Sequence, residues 1–173
     1  GSTLETVTNE EFLRSIFEEQ GLDPNEHFVA ITGEGSPLDN PDRYLESFYF
    51  WDFIGGRYSA TSMCGGVLLS FMLGYDNYLE LLRGAHEMDE HARSAPVREN
   101  IPLNLALFGV WNHNFLNMAT VALIPYCQAM NRFPAHIQQL DMESNGKHID
   151  IWGKKVNYKT GPVIFGEPGT SAQ

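Results

Sequence analysis

The sequence predicts an α/β fold, a parallel sheet flanked by helices, and two repeated observations carry that reading. A helical stretch near the start is followed by a short apolar run, Phe28-Val29-Ala30-Ile31-Thr32, of the kind that forms a buried strand. The same order returns later, where an apolar helical stretch at 101–118 precedes a second buried strand, Ala119–Tyr126. A chain of 173 residues is long enough to bury a sizeable core and reads, by length alone, as one domain.

The elements follow in order. Thr8-Asn9-Glu10-Glu11 has the form of a capping box, and Phe12, Leu13, Ile16 and Phe17 follow at helical spacing, which predicts a helix over 9–20. Gly21 is a stop signal. After the strand at 28–32, a loop rich in Gly, Pro, Asp and Asn covers 33–43, and the aromatic run at 47–51 reads as extended. Helices are predicted at 61–73 and 76–93, parted near Gly74. Past Pro96 come the helix at 101–118, the strand at 119–126 and a helix at 127–139. Residues 147–157 alternate about Gly153-Lys154 like a small hairpin, and Val163-Ile164-Phe165 is a last short strand before Gly166-Glu167-Pro168-Gly169. Trp51, Trp111 and the aromatic cluster at 48–53 read as core or interdomain packing.

Composition excludes several classes of function. The formal net charge of −11 repels phosphate backbones, which argues against a nucleic-acid partner. It also gives no global steering toward an anionic metabolite, so any phosphate must be held by local groups. No apolar run approaches the ~20 residues of a membrane span, and the first residues lack the features of a signal peptide. Two cysteines, Cys64 and Cys127, form neither a disulfide framework nor a zinc motif and read as reduced thiols of a cytoplasmic protein. The six histidines make no ligand set: His86 and His91 are five apart, off the spacing that helical metal pairs use. No metal and no cofactor is expected.

Three segments point to a family. They are Asp52-Phe53-Ile54-Gly55-Gly56-Arg57-Tyr58-Ser59, then Gln139-Leu140-Asp141-Met142-Glu143-Ser144-Asn145-Gly146-Lys147, then Gly161-Pro162-Val163-Ile164-Phe165-Gly166-Glu167-Pro168-Gly169-Thr170. In wording, order and separation they resemble the D-x-[VI]-G-G-R-[YF]-S, Q-x-D-M-E-S-N-G-K and G-P-x-x-[WF]-G-E-P-G-T segments of the phosphoglucose isomerase family. Gly1-Ser2-Thr3-Leu4-Glu5-Thr6 is similar to the second half of that family's phosphate loop. The resemblance covers essentially the whole chain. It implies a three-layer αβα sandwich of the sugar-isomerase type, with 1–90 the C-terminal part of a first such domain and 91–173 the N-terminal part of a second. A catalytic histidine soon after Gln173 and a lysine near the far end belong to the family pattern and not to this sequence. The chain therefore reads as a fragment, inactive alone.

The same resemblance implies an aldose–ketose isomerase interconverting glucose 6-phosphate and fructose 6-phosphate through a cis-enediol, acting as a homodimer without a cofactor. Glu143 would be the base, which a carboxylate can be when its pKa lies near the working pH. Arg57 would stabilise the enediolate with a charge that does not titrate away. Gly56, with Gly55, would allow close backbone approach to a ligand or an unusual φ. Thr3 would hold the phosphate at a helix N-terminus, and Gln139 would contact the sugar phosphate. Without the resemblance each has a plain structural reading: a solvated carboxylate, a turn with an ion pair, an ordinary chain terminus, an exposed polar side chain. A non-catalytic sensor of sugar phosphates is the competing function, since a sensor needs the phosphate loop but not the base.

Overall fold

The structure, a computed structural model, describes residues 3–169. Gly1-Ser2 and Thr170, which belong to the first and last family-like segments, lie outside them. The chain divides into two compact units, Gly1–Gly84 and Ala85–Gln173.

The first unit begins with α1 (Leu4–Glu19), which starts earlier than the capping box predicts. Thr3, with extended backbone, is the N-cap, and Thr8 lies inside the helix. The reason is local: Leu4, Glu5, Thr6 and Val7 hold no breaker, and Glu5 places a carboxylate in the first turn, where the dipole favours it. Gly21 ends the helix as expected, at φ 75°. Its amide donates to Glu18 and that of Leu22 to Phe17, which together form a Schellman motif. Strands β1 (Val29–Thr32) and β2 (Glu46–Tyr49) then pair in parallel, Val29 opposite Glu46. The crossover between them is the predicted loop, long enough for a parallel connection without a helix. Helix α2 (Met63–Leu73) is capped by Ser62, whose hydroxyl accepts from the Cys64 amide, and α3 (Tyr75–Ser94) starts after Gly74.

Buried in this unit are Ala30 and Thr32 of β1, together with Arg14, Tyr44 and Tyr78, the last of which donates its hydroxyl to the Ser62 carbonyl at the start of α2. Arg14 is the unexpected member. Its guanidinium donates to Glu10 Oε1 (2.7 Å), Asn25 Oδ1 (2.8 Å) and the Arg43 carbonyl (2.6 Å). It also lies 4.8 Å from the Phe28 ring centre and 5.1 Å from that of Tyr44. A cation can be buried there because its donors are used and its faces rest on aromatic rings.

In the second unit, Asn100 caps α4 (Ile101–Val110) by accepting from Leu103. The predicted helix over 101–118 is shorter than expected. From Trp111 to Phe115 the backbone widens into a π-helical turn, and Asn117, at φ 58°, turns the chain out of the helix. Asparagine tolerates that left-handed conformation better than most residues. Strand β3 (Thr120–Ala122) pairs in parallel with β4 (Val163–Phe165). The helix expected at 127–139 starts late, because Pro134 suits a first turn and not a helix interior. A short 3₁₀ turn covers Gln128–Met130, α5 runs from Phe133 to Ile137, and the chain continues as a π-helical turn, Gln138–Glu143. The hairpin at 147–157 is present, with Ile149 opposite Lys155 and Gly153 at the turn.

Of the aromatic residues assigned to packing, Phe48 and Phe50 are half-buried, while Tyr49, Trp51, Phe53 and Trp111 are exposed in this chain. Trp51 is 72% and Phe53 79% exposed, stacked on each other with ring centres 5.5 Å apart, and Trp111 stacks in the same way on Phe115. They sit in turns beyond the ends of β2 and α4, so the parallel pairs do not cover them. No helix among the described residues is long and apolar enough to cross a membrane.

Candidate active site

Glu143 and Gln139 both lie on the π-helical turn that follows α5, in the second unit. Four residues apart, they share one side of that turn. With Ala135, Gln138 and Met142 they line one shallow depression. Gln139 can therefore reach a ligand that Glu143 touches, as expected if the helix continued to Glu143, which it does in widened form.

The Glu143 carboxylate is 57% exposed. Lys147 Nζ stands 3.9 Å from Oε1, an exposed pair worth little in stability, and Ser144 Oγ donates to Oε2 at 3.4 Å. The same hydroxyl lies 3.2 Å from the Gln139 carbonyl and so ties the two candidate residues through the backbone. Below Glu143 the turn is closed by Asp141, whose carbonyl accepts from both Asn145 (2.9 Å) and Gly146 (3.0 Å). Asp141 Oδ1 also accepts from Asn145 Nδ2 at 2.9 Å.

Gly56 and Arg57 open a 3₁₀ turn, Gly56–Tyr58, in the first unit. Arg57 is half-buried and Gly56 exposed. An unusual φ is not what these glycines supply: Gly55 has φ −93°, and Gly56 is not among the positive-φ glycines. A Cβ at either position would meet nothing within 4 Å. Neither the backbone nor the packing of this chain therefore demands glycine there, and space for close approach is what remains of the expectation. Thr3 caps α1 through its backbone, its carbonyl accepting from Val7 at 3.2 Å, and its side chain makes no capping hydrogen bond. The structure thus brings Gln139 and Glu143 together on one turn and Gly56 and Arg57 together on another, with Thr3 at the head of α1.

Of the histidines, three have structural places. His27 packs on Phe17, His91 Nε2 accepts from the Ile101 amide at the start of α4, and His113 Nδ1 meets the Met118 carbonyl. Cys64 and Cys127 are free thiols. Sequence reasoning missed the partners that hold the Glu143 turn in place, Gln138 and Met142, which contact the backbone of β4. No local pattern marks them, because their partner lies more than twenty residues away.

Parallel strand pairs flanked by helices make this an α/β protein, with a candidate site on the turn after α5. A crystal structure of a glucose-6-phosphate isomerase from Chlamydia trachomatis D/UW-3/Cx superposes on 98% of this chain and 33% of that one, with a TM-score of 0.94 and 50% identity. The profile of the phosphoglucose isomerase family matches residues 2–173, and the chain belongs to that family. Curated relatives include the glucose-6-phosphate isomerases of Protochlamydia amoebophila, 59% identical, and of Desulfotalea psychrophila, 57% identical, each over all 173 residues. The chain spans about a third of their length, 32% in both cases.

Proposed function

We propose that the whole protein containing this chain is a glucose-6-phosphate isomerase and that Glu143 is its base. The observation that carries the reading is the pairing of Gln139 and Glu143 in one depression within a chain of this family. The Glu143 carboxylate removes the proton from C2 of open-chain glucose 6-phosphate, and the C1 carbonyl oxygen takes up the negative charge of a cis-enediolate. Passing the O2 proton to O1 and returning the carbon-bound proton from Glu143 to C1, as C2–O becomes the carbonyl, gives fructose 6-phosphate. One carboxylate placed over both carbons serves both steps. Arg57 stabilises the negative charge that develops on the sugar oxygens, and Gly56 lets the backbone come close to the ligand. Thr3 binds the phosphate with its hydroxyl and the amides at the start of α1, which have no intrahelical partners and carry the positive end of the dipole. Gln139 contacts the sugar phosphate. An internal redox exchange between adjacent carbons needs no cofactor.

In this reading residues 1–90 complete one sugar-isomerase-type domain and residues 91–173 begin another. The protein is a cytoplasmic homodimer of glycolysis and gluconeogenesis. Ring opening falls to residues outside this chain, which spans about a third of its relatives' length, and the 173-residue chain alone does not turn over. A coupled assay of fructose 6-phosphate on the full-length protein and its Glu143→Gln variant tests the reading. Activity in the parent and at least a thousandfold loss in the variant is expected for removal of the base. An inactive parent that still binds the sugar phosphate means a sensor, and an active variant removes Glu143 from the mechanism.

A further inference from the structure

We propose that Gln138 and Met142 are positioning residues for Glu143, locking its turn to the edge of β4; the inference rests on Glu143 being the base. In the parallel pair, Val163 donates to the Ala119 carbonyl (2.9 Å) and Phe165 accepts from the Leu123 amide (2.8 Å). The pleat therefore turns the intervening Ile164 toward the other edge of β4. Ile164 is only 4% exposed, so its backbone groups need partners within the protein. Two side chains provide them. Gln138 Nε2 donates to the Ile164 carbonyl at 2.9 Å, and the Ile164 amide donates to Met142 Sδ at 3.3 Å. A single residue of β4 is thus gripped on both its donor and its acceptor, where a further strand would otherwise bond.

The grip transmits directly to the candidate site. Gln138 and Met142 are four residues apart, and Gln139 and Glu143 follow each of them by one. The side of the turn that holds the strand and the side that carries the site are therefore adjacent along its whole length. A π-helical turn is seldom favoured by its own hydrogen bonds and persists where its surroundings fix it. Here the strand edge fixes it at both ends, at Gln138 and at Met142. Loosening either contact lets the Glu143 carboxylate drift from the position that serves both sugar carbons. Displacements of about 1 Å at a reacting group cost up to ~100-fold in rate.

The test uses the full-length protein with Gln138→Leu, which removes the donor, and Met142→Leu, which keeps the volume and removes the sulfur acceptor. Each is compared with the parent for kcat and KM toward fructose 6-phosphate and for melting temperature. The expected result is a fall in kcat of about tenfold for Gln138→Leu and about threefold for Met142→Leu, with KM within about twofold of the parent. Met142→Gln, whose amide oxygen can accept from Ile164, recovers part of the loss. Unchanged kcat in both leucine variants overturns the proposal, and so does a rise in KM at constant kcat. A loss of active protein that only follows a lowered melting temperature, with normal kcat in the folded fraction, overturns it as well. If Gln138→Leu does not fold, Met142→Leu decides by the same criteria. Glu143→Gln, run alongside, keeps the two readings apart: full activity there removes the base assignment, whereas loss there with normal kinetics in both leucine variants removes only the positioning role.

Discussion

The Arg14 guanidinium donates to the backbone carbonyl of Arg43 at 2.6 Å, binding the middle of α1 to the segment that enters β2. Both arginines also converge on Glu10: Arg14 Nε lies 2.7 Å and Arg43 Nε 2.9 Å from the same carboxylate oxygen, while the Tyr44 hydroxyl donates to the other at 2.8 Å. The side chains of Glu10 and Arg14 are each 11% exposed and that of Arg43 41%, so the Glu10–Arg14 pair is largely shielded from water while Arg43 reaches it from the surface. Removing one member of such a cluster leaves the rest unpaired, which costs more than the pair itself is worth. We expect Glu10→Gln to destabilise the chain by ~2 kcal/mol in urea unfolding, since an amide keeps the shape and loses the charge. An effect below about 0.5 kcal/mol would mean that solvent screens the cluster.

The same carboxylate predicts a pH dependence. Burial alone would raise the Glu10 pKa, but hydrogen bonds from Arg14, Tyr44 and Arg43 outweigh it and hold the group below the ordinary glutamate value. A carboxylate whose pKa is depressed on folding contributes stability that is fully present above its unfolded value, about 4.5, and is lost as pH falls through the folded value. Thermal melts of the parent and of Glu10→Gln should therefore converge as pH drops from neutral to below that value. Melting curves that stay equally far apart at every pH would remove Glu10 as the titrating group.

How much of this was legible follows from where the partners lie in sequence. The three family-like segments are contiguous runs, so the family, the α/β class and the candidate residues could be read directly. The Gly21 stop was legible for the same reason, since a Schellman motif is built from neighbours. The start of α1 was misread because Thr8 and Glu11 make a plausible local cap, while Leu4 to Val7 hold no breaker and let the helix run back to Thr3, which caps it through its backbone alone. The clusters that hold the site and the first unit together were not legible. Arg14 reaches Asn25 and Arg43, and Gln138 reaches Ile164, over separations that no local pattern encodes. The widened turns at 111–115 and 138–143 were also missed: the first lies inside the helix expected over 101–118, the second runs past the end of the one expected at 127–139, and only tertiary contacts distinguish them.

Asn100 offers a test within the second unit. It is 4% exposed, and its side chain serves two helices: Oδ1 accepts from Leu103 at the start of α4 and Nδ2 donates to the Ala92 carbonyl in the last turn of α3. Each bond satisfies a helix-end group without an intrahelical partner. Asn100→Ala loses both and should cost ~2 kcal/mol in chemical denaturation. Asn100→Asp keeps the cap but sets a negative charge against the α3 carbonyls, so it should regain little of that loss at neutral pH. If aspartate restored full stability, the bond to Ala92 would be idle and capping of α4 alone would account for the residue.

Gly146 closes the Glu143 turn, and its lack of a side chain is a packing requirement. A Cβ there would stand 2.1 Å from the Met142 carbonyl oxygen, and the Cβ position of Gly161 lies 3.0 Å from the Gly146 Cα on the other side. An alanine at 146 must therefore push the Met142 carbonyl away, and Met142 both precedes Glu143 and holds Ile164. Overpacking of this kind costs about 1–3 kcal/mol. In the full-length protein Gly146→Ala should also lower kcat at least tenfold with a smaller change in KM, because the displaced backbone carries the proposed base. Gly109 supplies the control: it lies inside α4, a Cβ there meets nothing within 4 Å, and alanine in a helix interior is favoured over glycine by about 1 kcal/mol. Gly109→Ala should leave kcat unchanged and hold or raise the melting temperature. Equal kinetics in the two alanine variants would show that the close contact at Gly146 relaxes without moving Glu143, and the turn would then be softer than its hydrogen bonds imply.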